Sequence, residues 1–136
     1  MSNDAVYRIL IVGCGELGSR HLQAVAGLPQ VREVEVVDPR PEALALGHQR
    51  LSEVPGRVHN ITYRWFPSLD QAARNGDLCI VATQAEGRCR LVRQVVDQLG
   101  YRSLLLEKIV SQSVHDYERL LTFSEQRKLA VWVNCQ

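Results

Sequence analysis

What this sequence lacks narrows it first. It has four cysteines, Cys14, Cys79, Cys89 and Cys135, but no CxxC pair, and its four histidines are scattered. Neither a zinc site nor a disulfide framework is implied, and no metal is expected. That cysteine usage suits a reducing compartment, so a cytoplasmic location is expected. Cys14 and Cys79 fall inside apolar strand patterns and read as small buried hydrophobes. The apolar runs reach only about five residues, where a membrane-spanning helix needs roughly 20. Residues 1–8 are polar and carry no apolar signal-peptide core, so no membrane partner is expected. Charge of one sign is also missing: the formal net charge is +1. That leaves no basic footprint for nucleic acid. The one local concentration is Arg88, Arg90 and Arg93. It is open to two readings, the solvated face of a helix or contact with an anion near a cofactor.

What is present is ordinary in amount and informative in order. The 136 residues, 46% hydrophobic and 23% charged, suit one domain over residues 1–136 with a packed core. Disorder is excluded by the same numbers. Ile9 to Val12 is a continuous apolar strand. Glu16 to Gly27 follows as a helix, with Leu17, His21 or Leu22, Val25 and Leu28 at helical spacing and Gly27 and Pro29 closing it. Val34 to Val37 is a second strand ending at Asp38. Pro41 opens a helix that runs to Leu51. A loop over 52–60 leads to a third strand, Ile61 to Phe66.

Ser68 and Gln71 have capping-box spacing, which predicts a short helix over 68–75. Leu78 to Thr83 is the fourth strand. Glu86 to Leu99 is a helix with Leu91, Val92, Val95, Val96 and Leu99 inward, and Gly100 supplies its left-handed end. Ser103 to Leu106 is the fifth strand, followed by Glu107 and Lys108. Ser113 caps a further helix in which Val114, Tyr117 and Leu121 are spaced for burial. Leu129 to Val133 is the sixth strand, so near the end that Val131, Trp132 and Val133 are expected to be incompletely buried. Six strands alternating with helices predict an α/β doubly wound parallel sheet, the Rossmann dinucleotide-binding fold in order 3-2-1-4-5-6.

The first strand runs directly into Gly13-Cys14-Gly15-Glu16-Leu17-Gly18, a G-x-G-x-x-G turn that opens the first helix. Gly13 permits the tight turn, Gly15 lets a pyrophosphate approach the backbone, and Gly18 lets helix and strand pack closely. The pyrophosphate then meets the free N–H groups and positive end of the helix, with Glu16 and Leu17 in its first turn. Asp38, twenty residues after Gly18, ends the second strand. A carboxylate there accepts hydrogen bonds from ribose hydroxyls and repels a 2′-phosphate, which favours NAD. Arg40 is the complication, because it can pair with a 2′-phosphate and so admit NADP. The plain alternative is a glycine-rich turn with a solvated aspartate. S-adenosylmethionine, which also uses a glycine loop and an acidic residue after the second strand, is the rival ligand.

Three stretches resemble one family, the glucose–fructose oxidoreductase / inositol dehydrogenase (Gfo/Idh/MocA) group. They are GCGELGSRH over Gly13–His21, DLCIVAT over Asp77–Thr83, and Leu106-Glu107-Lys108, which is similar to that family's Glu-Lys-Pro signature. The resemblance covers essentially the whole chain, as the family's amino-terminal domain. It implies that Thr83, Gln84 and Glu107 lie on the cofactor's nicotinamide side. It also implies that Lys108 assists proton transfer at the reacting hydroxyl. Read without the family, Lys108 is equally a surface lysine paired with Glu107. Three positions depart from the family pattern: Ile109 stands where it has proline, and Gln84 and Arg88 stand where it has proline and histidine. The stretch Glu107-Lys108-Ile109-Val110, with Asn134-Cys135, resembles members linked to cell-surface sugar biosynthesis.

The resemblance implies an oxidoreductase that passes a hydride between a nicotinamide and a sugar-like or polyol substrate. The family's substrate domain, which also carries its oligomer interface, is expected to be absent from this chain. Substrate binding, and any homo-oligomer, are therefore expected of a full-length form, and the chain alone is expected to bind cofactor with little turnover. The alternative is a non-catalytic NAD(H)-binding or sensing module.

Overall fold

The computed structural model describes residues 5–135; residues 1–4 of the polar amino-terminal stretch, and Gln136 at the other end, lie outside the described residues. Six strands form one sheet: β1 Tyr7–Val12, β2 Val31–Val37, β3 Thr62–Phe66, β4 Leu78–Val81, β5 Ser103–Glu107 and β6 Ala130–Asn134. All five pairings are parallel and the order is β3-β2-β1-β4-β5-β6. The helices are α1 Glu16–Val25, α2 Pro41–Ser52, α3 Arg88–Leu99 and α4 Val114–Arg127. This is the Rossmann arrangement expected from the alternation of strands and helices.

Ile9–Val12 of β1 and Leu78–Val81 of β4 are apolar because both faces of the sheet are covered there. Ile9 and Ile11 of β1 pack with Leu22 and Val25 of α1 and Ala43 and Leu51 of α2. Their neighbours Leu10 and Val12 point the other way, to Val92, Val95 and Val96 of α3 and Leu120 and Phe123 of α4. Each such side chain contributes about 1.5–3 kcal/mol when fully buried. No helix among the described residues is long and apolar enough to cross a membrane.

Several local expectations are corrected. Leu17 and Leu28 are exposed, because the buried face of α1 is formed by Gly18, Ser19, Leu22 and Val25. On α4 the period is right and the phase is wrong. Val114, Tyr117 and Leu121 face out, while Leu120 and Phe123 are buried. One position along a helix turns the buried face by about 100°, since a turn holds roughly 3.6 residues. Leu91 is only partly buried.

The capping box at Ser68 does not form. The segment makes a single tight turn, Leu69–Gln71, and the Ser68 side chain caps nothing. The Ala73 N–H instead donates to the buried Glu35 carboxylate at 2.8 Å, which draws the segment onto the sheet. Other expectations hold. Gly100 ends α3 at φ +75°, and Ser113 Oγ accepts the Asp116 N–H at 3.2 Å. Cys14 and Cys79 are buried as free thiols. On the outer strand β6, Trp132 and Val133 remain exposed.

Candidate functional site

The glycine turn is built for three separate steric reasons. Gly13 leaves β1 at φ +91°, and a Cβ there would lie 3.0 Å from both the backbone N and Cγ2 of Thr83. A Cβ on Gly18 would lie 1.7 Å from the Gly13 carbonyl oxygen, so α1 can pack this close only with glycine. Gly15 is different: a Cβ there meets only the Arg40 guanidinium, at 3.3 Å, and otherwise fills open space. Gly15 is also the N-cap of α1, and no side chain caps that helix. Its first N–H groups are therefore left for an anion, with the positive end of the helix dipole behind them.

Glu16 does not compete for those groups. Its carboxylate pairs with Arg50 Nη2 at 2.5 Å, and Arg50 Nη1 donates to the Glu16 carbonyl at 3.0 Å and to Ser19 Oγ at 2.8 Å. Leu17 is exposed in the same turn.

Asp38, just past β2, is buried and fully engaged. Its Oδ2 accepts the Cys14 N–H at 2.8 Å and Arg40 Nη2 at 3.1 Å, and its Oδ1 accepts the Arg40 N–H at 2.9 Å and Nε at 3.2 Å. Burial pushes the carboxyl upward, but the bonds from Arg40 and Cys14 outweigh it and hold the group below its ordinary range. The Arg40 guanidinium, half exposed, lies beside Gly15. Burial, helped by the Asp38 charge, pushes the Cys14 thiol up to about 11, so it stays protonated.

At the far ends of β4 and β5 lie the remaining candidates. Thr83 packs its methyl against Gly13, and its hydroxyl is buried without a hydrogen-bond partner among the described residues. Gln84 is exposed. Glu107 is buried, and its carboxylate takes the imidazole of His21 from α1 and Asn134 Nδ2 from β6, the latter at 3.0 Å. Burial again works upward on this carboxyl, and the hydrogen bonds from His21 and Asn134 bring it below the usual range. Lys108 is exposed and makes no ion pair among the described residues, so its pairing with Glu107 does not form. The Lys108–Ile109 peptide is cis.

Arg88 departs from the solvated-face reading, for it is almost wholly buried, whereas Arg90 is exposed. Its guanidinium donates to the carbonyl oxygens of Thr83 and Glu107 and, at 2.5 Å, to that of Ile109. Arg88 thus ties the loop after β4 to the backbone on both sides of Lys108. Burial lowers its pKa from the ordinary arginine value, opposed by the Glu107 charge. Sequence reasoning missed this role, and it missed the partners of His21 and Arg50. One signal was available: Arg88 opens α3 behind a glycine, in a first turn with no acidic residue.

Gly13, Asp38, Thr83 and Lys108 follow the carboxyl ends of β1, β2, β4 and β5. Ligands of open α/β sheets bind in the crevice outside those ends. The uncapped start of α1, opened by a glycine whose Cβ would fill the approach, fits the diphosphate of a dinucleotide. Among the described residues no cluster of His, Cys, Asp or Glu could hold a metal ion.

Comparisons with known proteins agree with this fold. The model of the Gfo/Idh/MocA oxidoreductase family, NAD-binding Rossmann fold, matches residues 7–135. In structure the chain is similar to the WlbA dehydrogenase from Bordetella pertussis, solved with NADH and UDP-GlcNAcA. The two are 25% identical with a TM-score of 0.73, over 93% of this chain and 36% of that one. It is also similar to UDP-N-acetylglucosamine 3-dehydrogenase GnnA from Acidithiobacillus ferrooxidans, at 23% identity and TM-score 0.69, over 94% and 38%. For scyllo-inositol dehydrogenase from Lactobacillus casei the values are 15% and 0.74, over 96% and 37%. At these last two identities the likeness is one of fold. The chain spans little more than a third of the length of these proteins. No curated protein matches it in sequence.

Proposed function

The chain belongs to the Gfo/Idh/MocA oxidoreductase family, and on that premise we propose that it is the NAD-binding portion of a dehydrogenase acting on a sugar or polyol derivative. The observation that carries the reading is the uncapped start of α1 behind the open face of Gly15, with Asp38 and Lys108 at the same end of the sheet, after β2 and β5. NAD, when bound, supplies the hydride acceptor or donor.

The protein's own groups do the rest. The first N–H groups of α1 hold the diphosphate. Asp38 and Arg40 meet the adenosine ribose, and Thr83, Gln84 and Glu107 border the nicotinamide side. Arg40 is already paired with Asp38 through two guanidinium nitrogens. A 2′-phosphate would have to draw Arg40 away and face the Asp38 charge, so NAD is preferred to NADP. Lys108 holds and moves the proton of the reacting hydroxyl. The reading of the substrate as a sugar or polyol is supported by the family and by the substrates named for the similar dehydrogenases. The chain spans only part of their length, so the remaining substrate contacts belong to a further domain, and turnover by the chain alone is small. Its free thiols suit a reducing cytoplasm.

Calorimetric titration with NAD, NADP and S-adenosylmethionine tests this. NAD is expected to bind most tightly. No binding of NAD, or preferential binding of S-adenosylmethionine, overturns the reading.

A further inference from the structure

Two arginines of the cluster remain once Arg88 is accounted for, and α4 adds a third. Arg90 and Arg93 of α3 and Arg119 of α4 line one cleft of about 330 Å³, together with Gly87, Ser111 and Asp116. A contiguous hollow of about 300 Å³ continues past Arg93 and Arg119 to His115 and Glu118. None of the three arginines makes an ion pair among the described residues. The Arg93 guanidinium lies over the Phe123 ring at 4.6 Å, on the side of the neighbouring hollow. Three arginines and one carboxylate, Asp116, thus share the lining of this cleft.

The helix that forms one wall adds to the imbalance. α3 begins at the cleft with Gly87 as its N-cap, no side-chain cap and no acidic residue in its first turn. Its dipole places positive charge where Arg90 already supplies it. Arg90 and Arg93 are three apart on one helix face and repel each other. An oxyanion in the cleft would meet fork-shaped donors from both helices.

We propose that the cleft between α3 and α4 is a second anion site, distinct from the glycine turn, which binds the phosphate of a small ligand. Gly87 and Ser111 lie in the loops after β4 and β5, so the cleft is at the same end of the sheet as Lys108. A phosphate held there lies on the side of the substrate, which suits a nucleotide-borne diphosphate. Free phosphate has the same chemistry and is separated by the test. The proposal does not rest on the cofactor reading, because none of these residues belongs to the glycine turn.

The test is an amide NMR titration of the isotope-labelled chain with pyrophosphate, UDP and uridine, repeated with saturating NAD. Pyrophosphate and UDP are expected to shift the amides of Gly87 to Leu91 and Ser111, and uridine to leave them unmoved. The double variant Arg90→Gln, Arg119→Gln is expected to bind pyrophosphate at least about tenfold more weakly, equivalent to roughly 1.4 kcal/mol, with NAD affinity unchanged. Tighter binding of UDP than of pyrophosphate assigns the site to a nucleotide-borne phosphate; equal binding assigns it to the free anion. Shifts confined to Gly13–Gly18, none at millimolar pyrophosphate, or an unaltered affinity in the double variant overturns the proposal. If the variant does not fold, the wild-type shift map decides. NAD binding is read separately, so its failure leaves this result standing.

Discussion

The Cys14 N–H donates to the Asp38 carboxylate at 2.8 Å, so the acidic residue that ends β2 is fastened to the turn that opens α1. The same carboxylate orients Arg40 beside Gly15. One side chain therefore shapes the loop and sets the charge next to the proposed ribose position. Asp38→Ala strands a buried N–H and is expected to cost about 1–3 kcal/mol of stability, with NAD affinity falling at least about tenfold. Asp38→Asn keeps one acceptor and recovers part of the stability. It releases Arg40, so the affinity for NADP relative to NAD is expected to rise. Thermal melts and paired titrations read both effects.

Two glycine substitutions separate folding from binding. In Gly18→Ala the new methyl would lie 1.7 Å from the Gly13 carbonyl oxygen, so α1 must move off the sheet. A loss of several kcal/mol is expected, in the range of about 1–3 kcal/mol or more for overpacking. Gly15→Ala meets only a flexible arginine tip at 3.3 Å. It is expected to fold with a near-native melting temperature and to lose NAD binding. A Gly15→Ala variant that binds NAD normally removes the diphosphate from this turn.

Arg88 is expected to matter for stability more than its place in an arginine-rich stretch implies. Arg88→Met keeps much of the volume and removes the donors to three carbonyl oxygens. Leaving such groups without donors costs about 1–3 kcal/mol for each buried one. A melting temperature lowered by several degrees is expected, with Arg88→Lys intermediate. An unchanged melt contradicts the bracing role.

Acid stability follows from Asp38 and Glu107. Both carboxyls lie below their ordinary range in the folded chain. The unfolded chain therefore binds protons first as pH falls. The stability these groups contribute is present above the unfolded carboxylate range, about pH 4, and is lost as pH drops through the folded values. Glu107→Gln keeps an acceptor for Asn134 and removes the charge. Its stability is expected to fall less steeply between about pH 5 and pH 3, which pH-dependent denaturation measures.

Lys108 is exposed and unpaired among the described residues, so its removal costs little stability. In a form that carries the substrate domain, Lys108→Ala is expected to keep NAD affinity and lose turnover by about 10²–10⁴-fold, the usual contribution of a positioned acid–base group. Unaffected turnover would return Lys108 to the surface and favour a binding or sensing module.

By itself the sequence determined the sheet order, the glycine turn and the acidic end of β2. These depend on short-range causes: apolar runs, helical period, and the absence of a Cβ where backbone meets backbone. Gly13 and Gly18 touch within six residues of chain, so their fit is legible without a structure. Only the tertiary structure decided which face α4 buries, because the phase of a helix is set by what it packs on. It alone paired His21 with Glu107, 86 residues apart, and turned Arg88 inward to the carbonyls beside Lys108. Such contacts depend on where separate strands end in space, and that geometry exists only once the whole sheet has formed.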